Sequence, residues 1–253
     1  MEVLVEHQGP VARITLNRPQ RRNPLSMTMM GEMIEALRHL PPDTQVVVVG
    51  GAGPAFSAGH DLGEMVGEEE PAIADLFARC TEMMELVQQI PQPVIARVHG
   101  VAAAAGCQLV ASCDLAVATE NSRFSTPGVK IGLFCSTPMV PVVRAVGRKR
   151  ALEMLLTGET IDAATALSWG LINRVVPEED LDAAVDDLID SILRFSPAVI
   201  ALGKQAFYSQ VDLDQASAYR QTQDVMVKNA LMADAQEGMG AFLEKRQPTW
   251  RDK

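Results

Sequence analysis

The sequence has no run of about 18 uninterrupted apolar residues, so nothing in it reads as a membrane-spanning helix. The first eight residues, MEVLVEHQ, alternate like a strand instead of forming a signal h-region, and no Arg-rich, acid-poor transit segment is seen, so neither a secretory leader nor a transit peptide is expected. A soluble, unexported protein of the cytoplasm is the simplest expectation, and a processed organellar protein would carry the same signature. Cysteine is sparse, and Cys80, Cys107, Cys113 and Cys135 show no CxxC spacing, while His7, His39, His60 and His99 stand singly. That pattern excludes a disulfide framework and gives no metal site, leaving buried, reduced thiols. Basic residues are outnumbered by acidic ones, 22 to 32, and the formal net charge of −10 argues against a nucleic-acid backbone as partner. There is no low-complexity linker and no short repeat. A length of 253 residues suffices for one large core with a small helical appendage, without a second independent domain.

What is present alternates strand and helix patterns, then becomes helical throughout. Val3–Glu6 and Val11–Asn17 flank Gln8-Gly9-Pro10, as in a hairpin. Ser26 is placed to cap a helix running to about Leu40, where Pro41-Pro42 stop it. Strands follow at Gln45–Val49, Pro93–Val98, Asp114–Ala118 and Leu171–Val176, with helices at Pro71–Ile90, about Ala105–Ser112, from Thr137-Pro138, at Arg148–Thr157 and at Asp162–Ser168. Beyond Glu178 the periodicity is helical: Glu178–Arg194, a segment capped by Ser196 with Pro197 at its first position, Leu213–Met232 and Asp234–Arg246. This order predicts an α/β core over 1–195 and a C-terminal helical region over 196–253.

Two stretches carry chemistry. Gly50–Leu62 (GGAGPAFSAGHDL) and Gly100–Leu115 (GVAAAAGCQLVASCDL) each follow a buried-strand pattern and open into small residues that let a ligand approach the backbone. Two such loops can aim main-chain N–H groups at one oxygen, the device that stabilises a carbonyl becoming an enolate or tetrahedral oxyanion. At these residues the chain resembles the crotonase (enoyl-CoA hydratase/isomerase) superfamily, and LNRPQRRNPLS, GLINRVVP and QEGMGAFLEKRQPTW extend the resemblance over nearly the whole length. Within it, AAGCQLVASCDLAVA and FSTPGVKIGLFCSTP are most similar to the subgroup containing enoyl-CoA hydratase domain-containing protein 3.

The resemblance implies a right-handed spiral of ββα turns followed by helices that pack between subunits of a trimer or a dimer of trimers. It implies an acyl-CoA thioester as substrate or ligand, no permanently bound cofactor, and an oxyanion hole built from the main-chain N–H groups of His60 and Ala105. Asp61 would hold the first loop through backbone hydrogen bonds. The family's two water-handling glutamates fall on Gln108 and Gly128. Glutamine can hold water without exchanging its proton and glycine can do neither, so efficient hydration is not expected. Replacement groups are few. Ser136, flanked by Cys135 and Thr137, falls where some dienoyl-CoA isomerases place an aspartate, but it equally suits a helix start before Pro138. His99 fits a strand end better than a base, and Glu64 fits a solvated loop. For coenzyme A the resemblance points to Arg22, Asn23, Ala58, Asp61 and Leu62, to the neighbouring Arg18 and Arg21, and to Lys245 beside Arg246, the last two supplied by another subunit. A non-catalytic acyl-CoA sensor, or an isomerase or hydrolase with a different base, are the alternatives.

Overall fold

The computed structural model describes residues 1–251. The hairpin forms from β1 (Val3–Gln8) and β2 (Val11–Leu16) across a turn in which Gly9 has φ 57°. Then follow α1 (Met27–Arg38), β3 (Val46–Gly51), α2 (Glu70–Gln89), β4 (Val94–Val98), β5 (Val101–Ala103), α3 (Ala105–Ser112), β6 (Leu115–Thr119) and β7 (Arg123–Ser125). The chain continues through α4 (Met139–Val146), α5 (Arg148–Thr157), β8 (Ile161–Asp162), α6 (Ala163–Trp169), β9 (Arg174–Val176), α7 (Leu181–Leu193), α8 (Pro197–Gln210), α9 (Gln215–Leu231) and α10 (Ala233–Glu244).

Six strands form a sheet in the order β1-β2-β3-β4-β6-β9, parallel except for the opening hairpin. A smaller sheet, β5-β7-β8, stands beside it, and Ser57 adds one parallel bridge to Ala102. Successive turns of chain therefore supply a strand to the large sheet, a pairing to the small one and a helix: β3, Ser57, α2; then β4, β5, α3; then β6, β7, α4. This is the ββα spiral expected from the resemblance.

Both faces of the large sheet are covered, which is why β3 reads VVVV. Val47 and Val49 join the main core with Met29, Met33, Met83 and Val87 of α1 and α2, whereas Val46 and Val48 pack with Ile95 and Val117 against Leu181, Val185 and Ile189 of α7. Local signals fix the helix ends. Ser26 Oγ accepts from Met29 N at 3.1 Å to start α1, Asp162 Oδ1 accepts from Thr165 N at 2.8 Å to start α6, and Gly170 at φ 89° closes it.

The structure corrects the strand reading in two places. The small sheet went unseen because its strands are two or three residues long, too short to show a period, and the Leu171–Val176 strand shrinks to Arg174–Val176. The last three helices divide in character. Lys204 of α8, with its side chain 6% exposed, pairs with Asp114 at 2.7 Å and donates to Val87 O and Gln92 O at 2.9 and 2.8 Å. The Tyr208 hydroxyl donates to the other Asp114 oxygen at 2.8 Å. Like α8, α9 has no fully buried residue within this chain, and Met226 and Val227 are exposed, so its Met-rich stretch is not intramolecular core.

Candidate functional site

The two small-residue loops are stitched together by main-chain bonds. Ser57 N donates to Val101 O at 3.1 Å and Ala103 N donates back to Ser57 O at 2.9 Å. From the other side Ala58 N donates to Arg22 O at 2.9 Å, and Leu25 N to Gly59 O at 2.7 Å. Close approach explains the glycines: a Cβ on Gly59, at φ 95°, would sit 2.9 Å from Ala104 Cβ and 3.3 Å from Ala105 N. A Cβ on Gly106 would meet Ser57 O at 2.4 Å. The His60 and Ala105 amides are thereby brought to one corner.

Ala104 sets the direction of the second amide. It has φ 48° and ψ −117°, a conformation that costs a non-glycine residue about 1–3 kcal/mol. The strain is held at both ends: Ala104 N donates to Ser125 O at 2.9 Å, and its carbonyl accepts from Gln108 N at 3.0 Å. The following N–H, that of Ala105, opens α3 without a side-chain cap and has no acceptor among the described residues. The His60 N–H has none either. Both residues line a cleft of about 720 Å³ with apolar walls that include Met65, Phe77, Ile131, Leu133 and Phe134. Two free amides in a cleft with apolar walls can hold a developing oxyanion.

The titratable groups of the cleft are mostly engaged. Asp61 is buried, takes two bonds from Arg21 at 3.1 and 3.2 Å and one from Arg18 at 3.3 Å, and accepts from Gly63 N at 3.2 Å. Lys130 pairs with Glu159 at 2.9 Å. Burial pushes the Cys135 thiol above its ordinary value, against a smaller opposing hydrogen bond to the Gly128 backbone. Burial lowers the His60 imidazole, and a hydrogen bond to Leu25 O opposes this in part. The ring meets Phe77 edge-on at 5.5 Å, and its buried Nε2 has no hydrogen-bond partner among the described residues.

A profile of the enoyl-CoA hydratase/isomerase family matches residues 6–253. The chain belongs to this family. Enoyl-CoA hydratase domain-containing protein 3, mitochondrial, of Xenopus laevis is 47% identical over 253 residues, spanning 99% of this chain and 86% of the relative. A crystal structure of an enoyl-CoA hydratase from Mycobacterium smegmatis superposes with a TM-score of 0.97 at 47% identity, covering 99% of both chains. The human enoyl-CoA hydratase domain-containing protein 3 gives 0.96 at 44% identity, over 99% of this chain and all of that one. The α/β spiral is thus the crotonase fold.

Several residues expected at the site stand elsewhere in this enoyl-CoA hydratase/isomerase family member. Gln108 is buried but does not line the cleft; its Oε1 lies 4.0 Å from Cys80 Sγ of α2, because the side chain of the fourth residue of α3 points into the helix pair. Asn23 is fully buried, and its amide is consumed by Ala52 O, Ala55 O and the Arg18 N–H, each at 2.8 Å. It shapes the first loop and, fully buried, does not line the cleft. Arg18 and Arg21 are held by Asp61, whereas Arg22 is exposed with no ion pair among the described residues. Ala58 and Leu62 line the cleft, and so does Ser136, whose Oγ donates to Phe134 O at 3.3 Å. Glu64 accepts from Met27 N at 2.8 Å, and His99 Nε2 bonds Gly53 O at 2.6 Å; neither lines the cleft. Lys245 ends α10 at φ 57°, exposed and away from the cleft of its own chain, and Arg246 is tied to Glu237 and Glu244. Phe77, Leu133, Phe134 and Lys130 escaped sequence reading; an aromatic on α2 and an apolar run after Gly132 are core-like in pattern, and nothing local marks them as cleft walls.

Proposed function

We propose that this chain binds an acyl-CoA thioester with the carbonyl oxygen between the His60 and Ala105 N–H groups, polarises it toward an enolate, and hydrates enoyl thioesters poorly. One observation carries the reading: the strained Ala104 peptide, pinned by Ser125 and Gln108, leaves the Ala105 N–H unpaired beside an equally unpaired His60 N–H in an apolar cleft. Hydration needs a carboxylate pair to hold and split water, and neither position supplies one, since Gly128 has no side chain and Gln108 does not line the cleft. Binding without turnover, as in an acyl-CoA sensor, is the second reading, favoured by the engagement of Asp61 with arginines.

Arg22, unpaired at the rim of the first loop, would meet the phosphates of coenzyme A, and Lys245 would reach them only from a neighbouring subunit. Met226, Val227 and Leu231 of α9, which are 62%, 62% and 75% exposed in the single chain, suit a homotrimer or homohexamer. The animal relatives bear mitochondrial names, so a mitochondrial address fits as well as the cytoplasm. Among the described residues no helix is long and apolar enough to cross a membrane.

Calorimetry with a panel of saturated and unsaturated acyl-CoA thioesters, followed by mass spectrometry of the mixtures, tests the proposal. Heat of binding with little or no gain of water supports it. No binding by any member of the panel would sink it.

A further inference from the structure

The size and lining of the cleft bear on which acyl chain it suits. A carbon with its hydrogens fills about the space of a water molecule in the liquid, about 30 Å³, so a cleft of about 720 Å³ has room for roughly two dozen such groups. The arm that joins a thioester to its nucleotide occupies part of that room, and a butanoyl group leaves much of the rest unfilled.

Side chains that forgo burial mark where a longer chain would run. Gly132 turns the backbone at φ 81°, and around it Ile131, Leu133 and Phe134 stand 59%, 43% and 44% exposed. All three line the same cleft as His60 and Ala105. Their loop is braced: Leu133 N donates to Gly128 O at 2.9 Å, and Phe134 O accepts from Ser136 N at 2.7 Å and from Ser136 Oγ at 3.3 Å. A hydrogen-bonded backbone thus holds three large apolar side chains out into one cavity, which suits an apolar ligand.

Charge narrows the chain further. The acidic and basic side chains of the lining are Arg21, Asp61 and Lys130, and each is already paired, Arg21 with Asp61 at 3.1 Å and Lys130 with Glu159 at 2.9 Å. A carboxylate at the far end of an acyl chain would leave water for these walls and meet no free cation. Resting on the acyl-CoA reading above, we propose that the cleft takes a plain hydrocarbon acyl chain of about eight carbons or more, laid along residues 131–134, in preference to a short or carboxylate-ended one.

Calorimetry with butanoyl-, octanoyl-, dodecanoyl- and suberoyl-CoA tests this, the last being a chain of octanoyl length with a carboxylate at its far end. A fully buried methylene tightens binding about fourfold, and these half-exposed walls should give about twofold, so dodecanoyl-CoA is expected to bind at least about 100-fold tighter than butanoyl-CoA. Suberoyl-CoA should bind at least about tenfold weaker than octanoyl-CoA. The double change Ile131→Ser with Phe134→Ser, made at exposed positions, should weaken dodecanoyl-CoA about tenfold more than it weakens butanoyl-CoA, with light scattering run on parent and variant alike. A flat series, suberoyl-CoA equal to octanoyl-CoA, a double variant with the parent's chain-length dependence, or one of smaller assembled mass because these side chains join subunits, would overturn the chain assignment while leaving the acyl-CoA reading intact. If the parent binds no member of the series, both fall together.

Discussion

Placing a side chain at position 128 tests the steric argument behind the proposal that this cleft hydrates poorly. Gly128 has an ordinary negative φ, so backbone conformation does not forbid substitution. Space does. A Cβ there would lie 2.7 Å from Leu133 O and 2.9 Å from Cys135 Sγ, with Leu133 C at 3.3 Å. The nearest obstacle is main chain that cannot rotate away, and it is fastened in place because Leu133 N donates to Gly128 O at 2.9 Å. Gly128→Ala should therefore cost about 1–3 kcal/mol, the usual price of overpacking, lowering Tm by roughly 3–9 °C in a chain of this size. Urea and thermal unfolding measure it, and Gly128→Glu should cost no less. The double change Gln108→Glu with Gly128→Glu should not yield a fast hydratase, since the first side chain leaves the cleft and the second displaces its wall. Alanine at 128 within 0.5 kcal/mol of the parent would refute the steric reasoning, as would rapid crotonyl-CoA hydration by the double variant.

Lys204→Met should destabilise by about 3 kcal/mol, because it leaves the Asp114 carboxylate without a cationic partner among the described residues in a mostly buried site; a Tm drop under about 3 °C would contradict this. Since burial lowers the His60 pKa in the folded chain from its ordinary 6.5, the unfolded chain takes up a proton below that range that the folded one refuses. Stability should accordingly fall with pH below about 6.5, and His60→Gln should flatten this part of the curve in urea titrations. Burial pushes the Cys80 and Cys107 thiols up to about 12, and Cys113 up as well, so these three should resist a thiol-reactive disulfide at pH 8 until the chain is unfolded.

Much of the fold was legible because its signals are local. Ser26, Asp162, Ser196 and Gly170 mark helix ends through hydrogen bonds within a few residues, and the VVVV run of β3 announces a strand covered on both faces. The small sheet was hidden because three-residue strands have no readable period. At the site, the family resemblance carried by the two Gly/Ala loops pointed to His60 and Ala105, but the reason for their pairing is the backbone of Ala104, whose positive φ no alanine advertises. Gln108 and Asn23 misled for a common reason. Sequence places a residue on an element, and only packing decides whether its amide faces the cleft, Cys80 or the carbonyls of a loop.

The central claim is that two backbone amides polarise a thioester carbonyl, and carbon-13 NMR of a bound acyl-CoA labelled at that carbonyl reads it directly. The parent protein should move the resonance downfield relative to free ligand. Replacing Ala105 by lactic acid, which turns its amide into an ester and deletes the N–H without a proline ring against Ala104, should reverse most of that shift while the fold persists. A labelled thioester that binds the parent with its carbonyl resonance unmoved would contradict the account.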